Sequence, residues 1–486
     1  MQGIGDGTIL TQSTLTQSTL TQPTSKRVLV IAGEYPPIKT IGRIRTAKFV
    51  EHLRDLGWRP IVITIDYESS NPSYYSELEA EIPTDVEVHR VRHQGIDDLI
   101  LGGIKRLLRR LKPGRDRPRV AQLTGAAAFD PAANTASTRT HTSTRSDRLI
   151  NRFKQFVRNW IHIPDDYLLW GFAAYFRARR ICKEQHIDLI YTSLPPFSSA
   201  IAGCLLKRRT GIPWVVDYRD LWIGDVLREW LPPARSKFEV WLEKKLLPHA
   251  DAVVAVSEPK TDFLRQHLGG QRIWETITNG YDSESFDYLL DRPRPVRDTL
   301  DFVYAGRLFK NRRGYALLHA LGELVAADAS LRQRLRFHFY GAIEPVIFAE
   351  YQRLIGLYEL ETILCFHGDV DYETSKRVQV DADYLLLIVD TGATTDGVIP
   401  GKVFEYVAAK RPILALCDSK ATREIIEKAN IGQVVGTQDQ AGCKEALAQI
   451  LLKDSHELRD VDHAYLSQFE RRTLSKRLAA LFDRLT

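Results

Sequence analysis

The chain has 486 residues, 44% of them hydrophobic and 26% charged, with a net charge of +6, which describes an ordinary globular protein of two to three domains. Its five cysteines are scattered and form no C-x-x-C pair, so reduced thiols in a cytosolic protein are expected and a zinc site is not. No apolar run nears the ~18 residues that span a bilayer, and the first residues lack the charged-then-apolar pattern of a signal peptide.

Residues 1–24 repeat the unit Leu-Thr-Gln-Ser-Thr from Leu10 and read as a disordered, low-complexity leader. Residues 27–32 read as a buried strand, 33–42 as a Gly/Pro loop, 45–57 as a helix and 60–64 as a second strand, together a βαβ unit. Residues 102–147 interrupt this pattern. Residues 101–119 hold eight basic residues and one acidic, while 121–146 are rich in Ala, Thr, Ser and Arg and read as disordered. Ile104, Leu107, Leu108 and Leu111 share one helical face. The segment 104–119 therefore has the pattern of a helix on an anionic membrane surface, and equally that of a solvated insertion. The rest of the chain is close to neutral, so a nucleic-acid partner is not expected.

A basic, aromatic helix is expected over 148–160, then strands at 188–192, 214–217 and 252–256. A polar linker spans 293–299. A second set of strands follows at 302–304, 335–340, 363–366, 384–388 and 413–416. Two consecutive βα runs predict an α/β protein of two doubly wound, Rossmann-like domains, about 25–285 and 300–450. Ligands in such folds bind at the C-terminal ends of strands, which makes the cleft between two facing domains the default site.

The segment Gly397-Val-Ile-Pro-Gly-Lys402-Val-Phe-Glu405 reads as a loop entering a helix that Pro412 stops, followed by the buried strand. Pro400 and Gly401 suit the helix start, with Pro400 as its first residue. A helix N-terminus with Lys402 in its first turn is a good place for a phosphate. Glu405, on nearly the same face, can accept hydrogen bonds from sugar hydroxyls. The bland reading is ordinary helix decoration. Arg307 likewise follows a strand and a glycine, where backbone meets ligand, although a surface ion pair is the plain alternative. Asp217, Arg219 and Asp220 lie at a strand end, as substrate contacts or as an internal salt bridge. Gly42, Arg43 and Arg45 could bring amides and charge to a phosphate, or simply start a helix. The triplets Asp381-Ala-Asp383 and Asp369-Val-Asp371 match a common metal-site pattern only weakly.

Several motifs occur in one order: Glu34-Tyr-Pro-Pro37 with Gly42, Arg43 and Arg45; Leu194-Pro-Pro196; Asp217-Tyr-Arg-Asp220-Leu-Trp222; Val256-Ser257; Thr278-Asn279-Gly-Tyr-Asp282; Tyr304-Ala-Gly306-Arg307; Tyr340-Gly341; and the segment around Lys402. Over about 26–100 and 160–450 the chain resembles a GT-B-fold glycosyltransferase of the family 4 type, in a subgroup tied to polysaccharide synthesis. The resemblance implies a retaining, metal-independent transferase with a nucleotide-diphosphate sugar as donor, no cofactor, and a glycan or lipid-linked acceptor. It implies a cytoplasmic protein, either free or peripheral at the inner membrane face, whose last helix near 463–485 crosses back to the first domain.

The resemblance places donor contacts at Gly306, Arg312, Gly341, Val370, Pro400, Gly401 and Asn279. Leaving-group stabilisation falls to Arg307, Lys402 and one of Arg312 or Arg313, with Glu405 on the ribose. The first domain, with Gly42, Arg43, Arg45, Asp217, Arg219 and Asp220, would present the acceptor and touch the sugar. The chain departs from the family pattern at Gly397, where a glutamate is usual and Asp396 stands beside it. Lys410 takes the place of a turn glycine, and a left-handed conformation there would cost roughly 1 kcal/mol. A nucleotide-sugar epimerase and a catalytically weak assembly protein are the alternatives.

Overall fold

The computed structural model describes residues 25–93, 95, 159–225, 228, 230–392, 395–453 and 455–486. The leader, the insertion with its basic segment and all but the end of the 148–160 helix lie outside the described residues. Two parallel sheets organise the chain. The first runs in the order β3-β2-β1-β4-β5-β6-β7, with β1 Lys26–Ile31, β2 Trp58–Asp66, β3 Glu87–Arg92, β4 Leu189–Leu194, β5 Trp214–Tyr218, β6 Ala252–Ala255 and β7 Ile273–Thr276. The second runs β10-β9-β8-β11-β12-β13, with β8 Leu300–Ala305, β9 Leu335–Tyr340, β10 Leu364–Gly368, β11 Tyr384–Ile388, β12 Ile413–Leu416 and β13 Gly432–Val435. Both are doubly wound α/β, Rossmann-like arrangements. Strand order reverses beside β1 in one sheet and beside β8 in the other, which opens a crevice beyond the strand ends at each place.

Strands β4, β5, β6, β11 and β12 are buried along their whole length because helices cover both faces of each sheet, and β6, β11 and β12 are almost wholly aliphatic. Leu29, Ile190 and Val216 face one apolar cluster, and Val28, Leu189 and Val215 face another. The second sheet is packed on both sides in the same way, with Phe302 and Phe337 stacked at 4.3 Å on one face.

The first helix is Ile41–Asp55, four residues earlier than expected, with Thr40 extended before it. Gly42 is therefore a first-turn helix residue and not a loop glycine. The helix Gly401–Ala409 begins one residue later than expected, with extended Pro400 as its cap. Lys410 closes that helix in the left-handed region, at φ 54° and ψ 43°.

Arg294 donates to Asp383 (2.8 Å), and Asp383 also accepts from the amide of Asp301 (2.9 Å). Asp371 caps the helix Tyr372–Asp381 through the amide of Thr374. One acid of each D-x-D triplet thus has a structural partner. The five cysteines are unbridged, and among the described residues no helix is long and apolar enough to cross a membrane.

The final helix, Arg471–Asp483, belongs to the first sheet's core. Leu474, Leu478, Leu481 and Phe482 pack with Val28, Phe49 and Trp58, and the Phe482 ring lies edge-on to Trp58 at 5.2 Å. Just before it, Leu466 and Phe469 are still packed in the second domain. The chain thus crosses between domains twice, and the two crossings touch. The amide of Tyr281 donates to the carbonyl of Phe469 (3.1 Å), and that of Arg471 to the carbonyl of Tyr281 (3.0 Å). Gly280 is required there, since a Cβ would run into the Phe469 carbonyl.

Two stability measurements test this description. Phe482→Ala empties a buried aromatic site between Trp58 and Tyr191 and should cost about 3–5 kcal/mol in denaturant unfolding. Lys410→Gly relieves the left-handed residue and should raise stability by up to about 1 kcal/mol.

Candidate functional site

A cleft of about 730 Å³ opens between the two sheets, within the range of small-molecule sites. One wall comes from the first domain (Glu34, Gly42, Arg219, Asp220, Lys260). The other comes from the second (Arg307, Arg312, Asp390, Pro400, Gly401, Glu405), and the crossing residues Thr278–Asp282 form its back.

The second-domain wall follows from strand ends. Gly306 donates its amide to the carbonyl of Tyr340 (2.8 Å), and Gly341, at φ 123°, leaves no room for a Cβ against the Gly306 carbonyl. The two glycines bring the ends of β8 and β9 together beneath Arg307. Neither lines the cleft, and neither does Val370. The hydroxyl of Tyr406 donates to the carbonyl of Leu386 (3.1 Å) and accepts from the amide of Ala305 (3.2 Å). It bridges β8 and β11 and seats the Gly401–Ala409 helix over their ends. The first turn of that helix has no side-chain cap and no acidic residue, and Pro400 and Gly401 face the cleft.

Of the two candidate arginines, Arg312 lines the cleft and Arg313 does not. Arg312 is held bidentately by Asp390, at 3.0 and 2.9 Å, with its guanidinium 5.1 Å from the Phe309 ring. Burial works against its charge, but Tyr304 and Asp390 hold its pKa above the ordinary value. Arg313 instead bonds the carbonyl of Lys310 (2.5 Å) on the surface. Its expected role in leaving-group stabilisation is corrected on this geometry.

Glu405 lines the cleft, while Lys402 does not. Lys402 Nζ sits 2.7 Å from the Glu405 carboxylate, which also accepts from Gln379 (3.2 Å). Asn279 lies on the back wall.

In the first domain the structure divides the expected contacts. Asp217 is fully buried. It takes two hydrogen bonds from Arg45 (2.7 and 2.9 Å) and one from the Tyr191 hydroxyl (2.5 Å). Burial pushes the Tyr191 pKa well up, so its hydroxyl stays a donor. Arg45 spends its other donors on the carbonyls of Ile277 (2.8 Å) and Thr278 (2.7 Å). Arg45 and Asp217 are an internal ion pair; Asp217 does not line the cleft, while Arg45 still borders it with its donors taken up by these partners.

Arg43 pairs with Glu81 (2.9 Å) away from the cleft. Arg219 does face the cleft, paired with Glu34 (2.5 Å) and bonded to the Pro195 carbonyl. Gly42 makes room for that pair, because a Cβ would overlap both the guanidinium and the carboxylate. Asp220 is the half-exposed acid of its motif, 3.6 Å from Lys260 Nζ.

Gly397 is buried against the first domain. Its carbonyl accepts from Ser257 Oγ (2.8 Å), and a Cβ would stand 2.9 Å from Lys260. No side chain fits there in this arrangement. The neighbouring Asp396 pairs with Lys420 (3.0 Å) and does not line the cleft.

Sequence reasoning missed Asp390 and Lys260 as cleft residues. Asp390 follows directly on β11 beside the point of strand reversal, which is a readable signal. Lys260 lies inside a helix, and no local pattern marks it.

A family model described as a glycosyl transferase 4-like domain matches residues 151–280. No curated protein sequence matches the chain. Among solved structures, a glycosyltransferase from Rickettsia africae is 14% identical over 95% of this chain and 99% of its own, with a TM-score of 0.60. A sucrose-phosphate synthase from Thermosynechococcus elongatus is 16% identical over 95% and 99%, with a TM-score of 0.57. Anabaena HepE, solved with UDP, is 14% identical over 94% and 100%, also with a TM-score of 0.57. The chain has the GT-B fold that these glycosyltransferases share.

The buried pair can be tested directly. Asp217→Asn leaves the Arg45 charge uncompensated and should cost about 3–5 kcal/mol, read from urea unfolding midpoints. A midpoint equal to that of the unaltered protein would refute the placement.

Proposed function

We propose that this chain is a glycosyltransferase that moves a sugar from a nucleoside-diphosphate sugar to a glycan or lipid-linked acceptor. The reading extends to retention of anomeric configuration, independence of metal, and a role in cell-surface polysaccharide synthesis on the cytoplasmic side of a membrane. The observation that carries it is convergence. Arg307, the Asp390-held Arg312 and the uncapped start of the Gly401–Ala409 helix all line the second-domain wall of the cleft, with Glu405 one helical turn beyond Gly401. A helix N-terminus with two guanidinium groups suits a diphosphate. The anionic Glu405 suits hydroxyls of the attached ribose. The structural neighbour Anabaena HepE, solved with UDP and with UDP-glucose, supports the same ligand class.

The chemistry asked of these groups is limited. The bond from the anomeric carbon to the diphosphate oxygen breaks. The acceptor oxygen bonds that carbon, and its proton leaves with the diphosphate. Negative charge grows on the leaving oxygens, and fixed donors aimed there lower the barrier. Arg307, Arg312 and the helix amides supply them, with Lys402 close behind through its pairing with Glu405. The first domain, through Arg219, Asp220 and Lys260, faces the acceptor and the transferred sugar.

Arg312→Ala should lower turnover about 10²–10³-fold, while Arg313→Ala, outside the cleft, should leave it unchanged. Glu405→Ala should weaken nucleotide-sugar binding about 10–100-fold in calorimetry. Release of nucleoside diphosphate that rises with acceptor supports transfer. Interconversion of sugars without acceptor would show an epimerase instead. Failure of the protein to bind any nucleotide sugar in a panel would sink the reading.

A further inference from the structure

The helix Pro233–Leu246 is built inside out. A helix on a sheet normally buries apolar residues and exposes charged ones. Here Arg235, Glu239 and Glu243 are buried. Glu239 accepts from Arg235 (2.6 Å), from the Trp222 indole (2.8 Å) and from Arg228. Glu243 accepts from the Tyr218 hydroxyl (2.7 Å) and pairs with His267 (2.9 Å). These partners fix the rotation of the helix. Its outer face then carries Lys237, Phe238, Trp241, Lys244 and Lys245, all exposed. Phe238 is 46% and Trp241 53% exposed, with their rings 5.4 Å apart.

The helix Leu168–Glu184, on the same face of the first sheet, has a similar stripe. Phe172 and Phe176 are exposed in its first half, and Lys183 is exposed in its last turn. Trp160 is exposed too, and the chain just after it is fastened to the inverted helix by Arg235, which donates to the His162 carbonyl (2.5 Å).

Charge selects the occupant. The two acids of the inverted helix are both turned inward, so every exposed charge on it is positive. Aromatic rings flanked by long-stemmed lysines match the boundary between acyl chains and anionic headgroups. Each cation near such a surface adds about fivefold in affinity. We propose that this face docks the protein on an anionic membrane surface. Phe172 and Phe238 lie in the N-terminal halves of these helices, toward the sheet edge that opens on the cleft, and Phe176 and Trp241 lie near their middles. Docking there brings the cleft mouth toward the bilayer, where a lipid-linked acceptor would be met. The docking itself does not depend on the glycosyltransferase reading.

The test is flotation of the full chain with phosphatidylcholine vesicles, with and without phosphatidylglycerol. The protein should float only with the anionic vesicles, and less so as salt is raised. The double variant Phe238→Ser, Trp241→Ser should partition about tenfold less. Lys237→Gln, Lys244→Gln, Lys245→Gln combined should lose most of the salt dependence. Unchanged thermal midpoints would show that both variants fold. Three outcomes overturn the proposal: no flotation of the unaltered protein with anionic vesicles, flotation of the double variant equal to it, or a dimer that the double variant dissolves while vesicles are ignored. Flotation needs no nucleotide sugar, so its failure would leave the catalytic reading standing.

Discussion

The ion pair of Arg45 with Asp217 is the interaction on which the cleft depends. A guanidinium and a carboxylate out of water are costly unless every donor and acceptor is met. Here they are met from four places in the chain. The first helix supplies Arg45, β5 supplies Asp217, β4 supplies Tyr191, and the segment leaving β7 supplies two carbonyls. That last segment is where the chain departs for the second domain. The pair therefore anchors the root of the crossing, and the crossing sets where Asn279 and the second domain's wall stand relative to the first.

Within the cleft, charged groups are held from behind by partners of opposite sign. Asp390 orients Arg312, Glu34 orients Arg219, and Lys402 stands on Glu405. Such pairing fixes direction before any ligand arrives, which is the property an electrostatic site needs. The contact of Ser257 with Gly397 joins the two domains, and position 397 is occupied by backbone packed against the helix that carries Lys260.

The central strands were legible because burial on both faces leaves uninterrupted apolar runs. Edge strands β3, β7 and β13 are shorter or more polar and gave no such run. The start of the first helix was misread because a glycine at position 42 looks like a loop residue. Its reason, the Arg219–Glu34 pair, lies far away in sequence. The choice between Arg312 and Arg313 could not be read locally either. Adjacent residues of one turn point different ways, and Asp390 decides which faces the cleft. The fate of Asp217 was likewise decided by a partner 172 residues away. Local pattern carried the secondary structure and the Glu405 helix, while pairing across the fold carried the division between cleft wall and scaffold.

The final helix sets an order of events during synthesis. Phe482 fills a space between Trp58 and Tyr191 in the first domain. On a ribosome the amino-terminal domain is made first, yet its hydrophobic interior stays open on that side until the whole second domain has emerged. The domain begun first is finished last, and the second domain folds while tethered at one crossing only. Domains that fold as they emerge would here give a half-closed first unit waiting for its missing wall. A nascent chain stalled after residue 450 would present Trp58 and Tyr191 to chaperones.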